Sequence, residues 1–192
     1  MLCLEFLDSK LSIWYWLLVN TYEALPSEIT KAKAMAAGKR GYRDSVPRGG
    51  YAQNLYPWQS ETPQLVLARL SGLPHTNAYR GADVGIRLDV KSVPRSDRNL
   101  LVPPDHLHEG FAYVLAEWWS EEEDCLCVQF VGYAEEFQVR RAPLRNFGQV
   151  NRPPAHLVYR NLLTSCPETP MEWEELDASQ GLEKLEKSAL SW

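Results

Sequence analysis

The hydrophobic pattern of this chain changes period once, and that change limits the folds open to it. Before residue 74 the apolar side chains recur at spacings of three and four, and from residue 86 onward they alternate. Leu4, Leu7, Leu11, Trp14 and Leu18 draw an apolar stripe along one helix. Ser27 is placed to cap a second helix from Glu28 to Ala37, with Gly38 and Gly41 to end it. A third is expected from Thr62 or Pro63 to Leu70, because proline suits a first turn and Gly72 and Pro74 close the segment. Residues 42–60, rich in Pro, Gly and aromatics, read as a loop. Strands are expected at 86–93, 99–102, 111–117, 125–133 and, more briefly, 156–160. Helices first and strands after predict an α+β domain whose mixed sheet is antiparallel in part.

A chain of 192 residues, 45% of them hydrophobic, supports one sizeable core. Residues 1–60 are read as a helical segment and loop of the same domain, 61–167 as its core, and 168–192 as a tail. The net charge of −5 lies entirely in that tail, which carries seven acids and two bases and suits a loosely docked segment. Elsewhere the charges cancel but are segregated. Residues 137–167 hold Arg140, Arg141, Arg145, Arg152 and Arg160 without one acid, while seven acids fall between Glu117 and Glu136. Such sectors permit a polyanion partner, and each taken alone is also what ordinary solvated surface looks like. The aromatic N-terminal helix is suited to core packing or to contact between copies of the chain, as in a homo-oligomer. Its apolar run is too short to span a membrane, and no secretory leader precedes it, so a cytoplasmic location is expected. Cys3, Cys125, Cys127 and Cys166 form no CxxC pair and read as buried thiols.

The chemistry concentrates in RGADVGIRLDVKSV, residues 80–93. In a strand, Ile86, Leu88 and Val90 bury one face while Arg87, Asp89 and Lys91 share the other, with Asp89 and Lys91 about 7 Å apart. Gly85 allows a bend that returns Asp83 to the side of Asp89. Two carboxylates held together repel, and a hard cation relieves that repulsion; Mg²⁺ binds through one or two carboxylates plus waters and a substrate phosphate. A nearby ammonium stabilises charge developing on that phosphate. Taken without further context, an Asp and a Lys two apart on a strand are more often a solvated face.

The segment resembles the signature of the PD-(D/E)XK, restriction-endonuclease-like nucleases, in which an acid precedes a strand bearing acid, any residue, then Lys. The matching residues are Asp83, Asp89, Val90 and Lys91. The likeness extends over roughly residues 60–160, through LSGLP (70–74), GADVG (81–85), LDVKS (88–92), LLVPPD (100–105), FAYVLA (111–116), GY (132–133) and RPPAHLV (152–158), and is similar to a branch found in bacteria and their phages. It implies a restriction-endonuclease-like core with N-terminal helices and hydrolysis of phosphodiesters, DNA before RNA, with Mg²⁺ or Mn²⁺. Asp83, Asp89 and the Val90 carbonyl would be the metal ligands and Lys91 the charge stabiliser. Ala82 stands in place of the leading Pro. Where the family's helix often supplies another acid, this chain has Gln64, with Glu61 one turn earlier. Either Gln64 positions ligands or Glu61 substitutes, unless both are ordinary first-turn helix residues.

Other groupings are weaker. Asp105, His106, His108 and Glu109 make a poor second metal cluster, since turns attract these residues, and His75 and His156 stand apart. Arg140, Arg141, Arg145 and Arg152, with Phe147 and Tyr159 interleaved, are the candidate contacts to a nucleic-acid backbone. Two further readings fit the same residues: a catalytically inactive nuclease fold that binds nucleic acid, and a protein-interaction module using the acidic tail and aromatic helix.

Overall fold

A computed structural model of the chain describes residues 21–44, 58–76, 81–95, 98–122, 125–147 and 153–189. The expected N-terminal helix and Arg152 lie outside them. Helix α1 (Pro26–Asp44) turns Ile29, Ala32 and Ala36 inward at spacings of three and four. It runs through Gly38 and Gly41 rather than ending at them, since a helical glycine costs about 1 kcal/mol against Ala and does not itself stop a helix. Helix α2 (Thr62–Ser71) matches expectation: proline occupies its first turn and Gly72, at φ 73°, supplies the left-handed cap. Arg69 of α2 ties α1 to α2 by donating to Glu28 at 2.8 Å.

The strands are β1 (Thr21–Glu23), β2 (Leu88–Pro94), β3 (Leu100–Val102), β4 (Ala112–Glu122), β5 (Cys125–Glu135), β6 (Leu144–Arg145) and β7 (Ala155–Val158). They form a mixed four-stranded sheet ordered β1-β5-β4-β2 and a smaller sheet ordered β3-β7-β6. β2 runs parallel to β4, whereas β4–β5 and β5–β1 are antiparallel. β4 and β5 extend beyond the expected ends because they pair with each other almost to the connection between them. Alternation sorts β4 between two cores. Ala112, Val114 and Ala116 face the helices, while Tyr113 and Leu115 face the small sheet. A bulge between Leu115 and Ala116 shifts the register so that Phe130 faces the helices but Ala134 faces the small sheet.

The small sheet packs Leu100, Val102 and Val158 against Tyr113 and Leu115, joined by Val139 of helix α3 (Glu136–Arg141). Arg160 bridges the two sheets through Glu117 at 2.5 Å, and Glu117 is only 1% exposed. The thiols of Cys125 and Cys127 sit on the half-exposed side of β5, Cys166 is buried as expected, and Cys3 lies outside the described residues. No described helix is long and apolar enough to cross a membrane.

The first turns of the acidic tail are not loosely docked. Helix α4 (Pro170–Ala189) places Trp173 and Leu176 in the helix-side core, where Trp173 meets Phe130 edge-on with centroids 6.4 Å apart. Averaged charge concealed an apolar pair one turn apart, flanked by exposed acids. Trp173→Ala should therefore lower unfolding free energy by about 3–5 kcal/mol, while Met171→Ala, on a side chain 66% exposed, should change it by less than about 0.5 kcal/mol. Urea unfolding of the two variants checks this, and equal midpoints would show that α4 contributes nothing to the core.

Candidate active site

β2 is an edge strand, and its register decides what each residue presents. Ala112 N donates to Arg87 O and Arg95 N donates to Trp118 O, so the odd-numbered residues of β2 spend their backbone groups on β4. The N–H and carbonyl of Val90 therefore point to the other edge, while its side chain is buried among the helices. Asp83 occupies that edge: its Oδ2 accepts the Val90 N–H at 2.9 Å.

The chain reaches this arrangement through a tight reversal. Val84 and Leu88 bridge across a turn in which Gly85 takes φ 62°, the left-handed region that glycine enters without cost. Asp177 of α4 holds the turn from below. Its carboxylate accepts from Ile86 N at 3.0 Å and from Arg87 N at 3.0 Å, and a Cβ on Gly85 would collide with it. Two sequence expectations fail here. Ile86 lies in the turn, 75% exposed, rather than on the buried face of a strand. Arg87 does not share the face of Asp89 and Lys91; it is 3% exposed and donates to Leu176 O at 2.7 Å and to the side chains of Ser179 and Glu135.

Asp89, 6% exposed, is brought beside Asp83 across the Gly85 bend, close enough for each carboxyl to feel the other. Lys91 Nζ lies 2.8 Å from Asp89 Oδ2. The Asp83 pKa is pushed up to about 7, first by burial and then by the Asp89 carboxylate, against the opposing pull of the Val90 N–H and the Lys91 ammonium. Asp83 thus holds a proton near neutrality that a divalent cation would displace. Two carboxylates and an edge-facing carbonyl form an all-oxygen donor set that fits Mg²⁺ or Mn²⁺.

Glu61 and Gln64 are buried, 0% and 5% exposed, so they are not ordinary solvated first-turn residues. Gln64 Nε2 donates to Glu61 Oε2 at 3.0 Å, and Gln64 Oε1 faces His75 Nε2 at 3.1 Å. His75 in turn bridges Val84, next to Asp83. Among the described residues no group of three or more His, Cys, Asp and Glu gathers to hold a metal ion, so neither Glu61 nor the Asp105, His106, His108 and Glu109 turn supplies a ready-made cage.

His106 reaches the site by another route, which its turn-like sequence did not signal. The Tyr113 hydroxyl donates to His106 O at 3.0 Å and accepts from His108 N at 2.7 Å, fixing the loop so that His106 Nδ1 sits 3.5 Å from Lys91 Nζ. Partial burial and the Lys91 ammonium lower the His106 pKa, favouring the neutral ring, which can face a lysine without repulsion. The described candidate arginines are carried by α3 and β6. Arg140 and Arg141 close α3, Arg140 paired with Glu136, and Arg145 is exposed on β6.

No family model matches this chain, no curated protein matches it in sequence, and no solved structure matches it in fold.

The raised Asp83 pKa fixes the sign of a pH effect. The folded state keeps a proton that the unfolded chain releases near its ordinary 3.8, so this group's contribution is fully present below 3.8 and is lost as pH rises toward about 7. Asp83→Asn keeps an acceptor for Val90 and removes the titration. The variant should match the parent in acid and melt higher above neutrality, by roughly 2–4 °C per kcal/mol in a chain this size. Melting temperatures across that range check this; a variant less stable at alkaline pH would mean the carboxyl pair is not repulsive.

Proposed function

We propose that this protein is a metal-dependent nuclease that hydrolyses phosphodiester bonds, DNA before RNA, on a restriction-endonuclease-like core. One observation carries the reading: the adjacent carboxyls of Asp83 and Asp89 at an edge strand, with Lys91 2.8 Å from Asp89 and the Asp83 pKa pushed up to about 7. The resemblance of GADVG and LDVKS to the PD-(D/E)XK signature supports it, as does an α+β fold with LDVKS on an edge strand and Asp83 hydrogen-bonded to it.

Asp83, Asp89 and the Val90 carbonyl would hold Mg²⁺ or Mn²⁺. When bound, the cation supplies an electrophile for the phosphate and acidifies a water. Lys91 neutralises charge gathering on the phosphate oxygens and orients the attacking water. His106 gives the Lys91 ammonium a second neighbour besides Asp89. The Glu61–Gln64–His75 chain steadies the segment that carries Val84 and Asp83. A second reading, binding without cleavage, is favoured by one observation: Gln64 stands where a further acid is expected and spends its amide on Glu61.

Asp89→Asn should reduce metal-dependent cleavage by at least about 100-fold and weaken Mn²⁺ binding in calorimetry. Lys91→Ala should lose comparable activity yet keep Mn²⁺ binding, because both carboxylates remain. Full cleavage by Asp89→Asn sinks the site, and an inactive parent that binds DNA selects the second reading. Replacing Arg140, Arg141 and Arg145 together should weaken DNA binding about equally across sequences. It should also flatten the dependence of log K on log salt by roughly 0.7–0.9 per lost phosphate contact. An unchanged slope would move the binding face elsewhere.

A further inference from the structure

Helix α3 buries Val139 and leaves Phe137 53% exposed, although it is a large apolar side chain that the core does not use. The Arg141 guanidinium lies over the Phe137 ring, 5.9 Å from its centroid. The neighbourhood is cationic: Arg140 and Arg145 are exposed, Leu144 beside Arg145 is 54% exposed, and residues 137–167 contain no acid. Glu136, immediately before, is occupied by Arg140. Cations alone would suit the phosphates of a duplex. A ring left in water among cations instead matches unpaired bases, whose faces stack on aromatic and guanidinium planes while the phosphates meet the charges.

The position of α3 connects this surface with the candidate site. Asp89 pairs across the sheet with Tyr113 and Tyr113 with Ala134, two residues before α3 begins, and Glu136 N donates to Phe111 O at 2.9 Å. Two strand spacings, roughly 10 Å, therefore separate Asp89 from the chain entering α3.

We propose that Phe137 and Arg141 form a base-stacking platform that selects single-stranded nucleic acid and leads an unpaired strand toward Asp83 and Asp89. The proposal rests on the nuclease reading for the destination of the strand, but the platform is testable without cleavage. Fluorescence anisotropy with a labelled oligothymidylate and a duplex of equal length, in EDTA, reads binding alone. The parent should prefer the single strand. Phe137→Ala should weaken single-strand binding roughly 5- to 150-fold, the range for loss of one stacked base, and leave duplex binding unchanged. Phe137→Leu should behave like Ala, and Phe137→Trp should restore binding, which separates stacking from mere apolar contact. The exposure of Phe137 predicts an unchanged melting temperature for all three variants.

Unchanged single-strand affinity in Phe137→Ala, equal losses on both probes, or no binding of either probe by the parent would each overturn the platform. The two readings fail separately. A parent that prefers single strands but never cleaves with Mn²⁺ keeps the platform and refutes the nuclease. One that cleaves equally well with and without the Phe137 ring keeps the nuclease and refutes the platform.

Discussion

The carboxylate of Asp177 connects the last helix of the fold to the turn on which the candidate site depends. It accepts the backbone N–H groups of Ile86 and Arg87 while resting where only a glycine at position 85 leaves room. The Arg87 amide is buried there and would otherwise stand unpaired, at about 1–3 kcal/mol. Arg87 closes the junction from the same turn, reaching Leu176 O and Ser179 on one side and Glu135, the cap of α3, on the other. A buried guanidinium is expensive unless its partners remain. The turn, α4 and the entry to α3 are consequently one unit. Displacing α4 would leave two amides without their acceptor and Arg87 with Glu135 alone, at the point where Asp83 is aimed at β2.

That rigidity explains how a repulsive pair survives in the folded state. Asp89 is buried and Asp83 partly so, and burial and mutual repulsion raise the Asp83 pKa. The arrangement costs stability, offset by the Val90 N–H, by Lys91 and by the clamped turn behind it. Strain of this kind persists where the surroundings over-determine the geometry. Lys91 is shared between Asp89 and the His106 side, so its ammonium is positioned from two directions rather than free to swing.

Local chemistry was legible in the sequence and long-range chemistry was not. The return of Asp83 to Asp89 could be read from Gly85 because bend, acid and strand lie within seven residues of one another. The phase of that strand was misread at Ile86 and Arg87, since alternation applies only once pairing begins, and here β4 pairs from Leu88. Asp177 lies 91 residues from Ile86, a separation at which no spacing rule connects an acid to a turn. The same blindness covered Tyr113, an alternating core residue by pattern whose hydroxyl fixes the His106 loop. Charge misled in the tail because net composition averages over faces, whereas packing needs only Trp173 and Leu176 on one of them. Glu61 and Gln64 were the converse case: helix position alone suggested solvent, but the contact with His75 places them inside.

The edge position of β2 joins these observations. An unpaired edge invites association with other strands, and sheets blunt it with proline, charge or a covering segment. All three occur here: Pro94 ends the strand without an N–H, Lys91 adds charge, and Asp83 caps the Val90 amide with a side chain in place of a strand. Beyond the single bridge from Val84, no described strand pairs with this edge. A central strand would have given the backbone of Val90 to a neighbour. An edge strand leaves its carbonyl directed away from the sheet, so the feature that protects the sheet from aggregation also leaves a backbone oxygen that no neighbouring described strand claims.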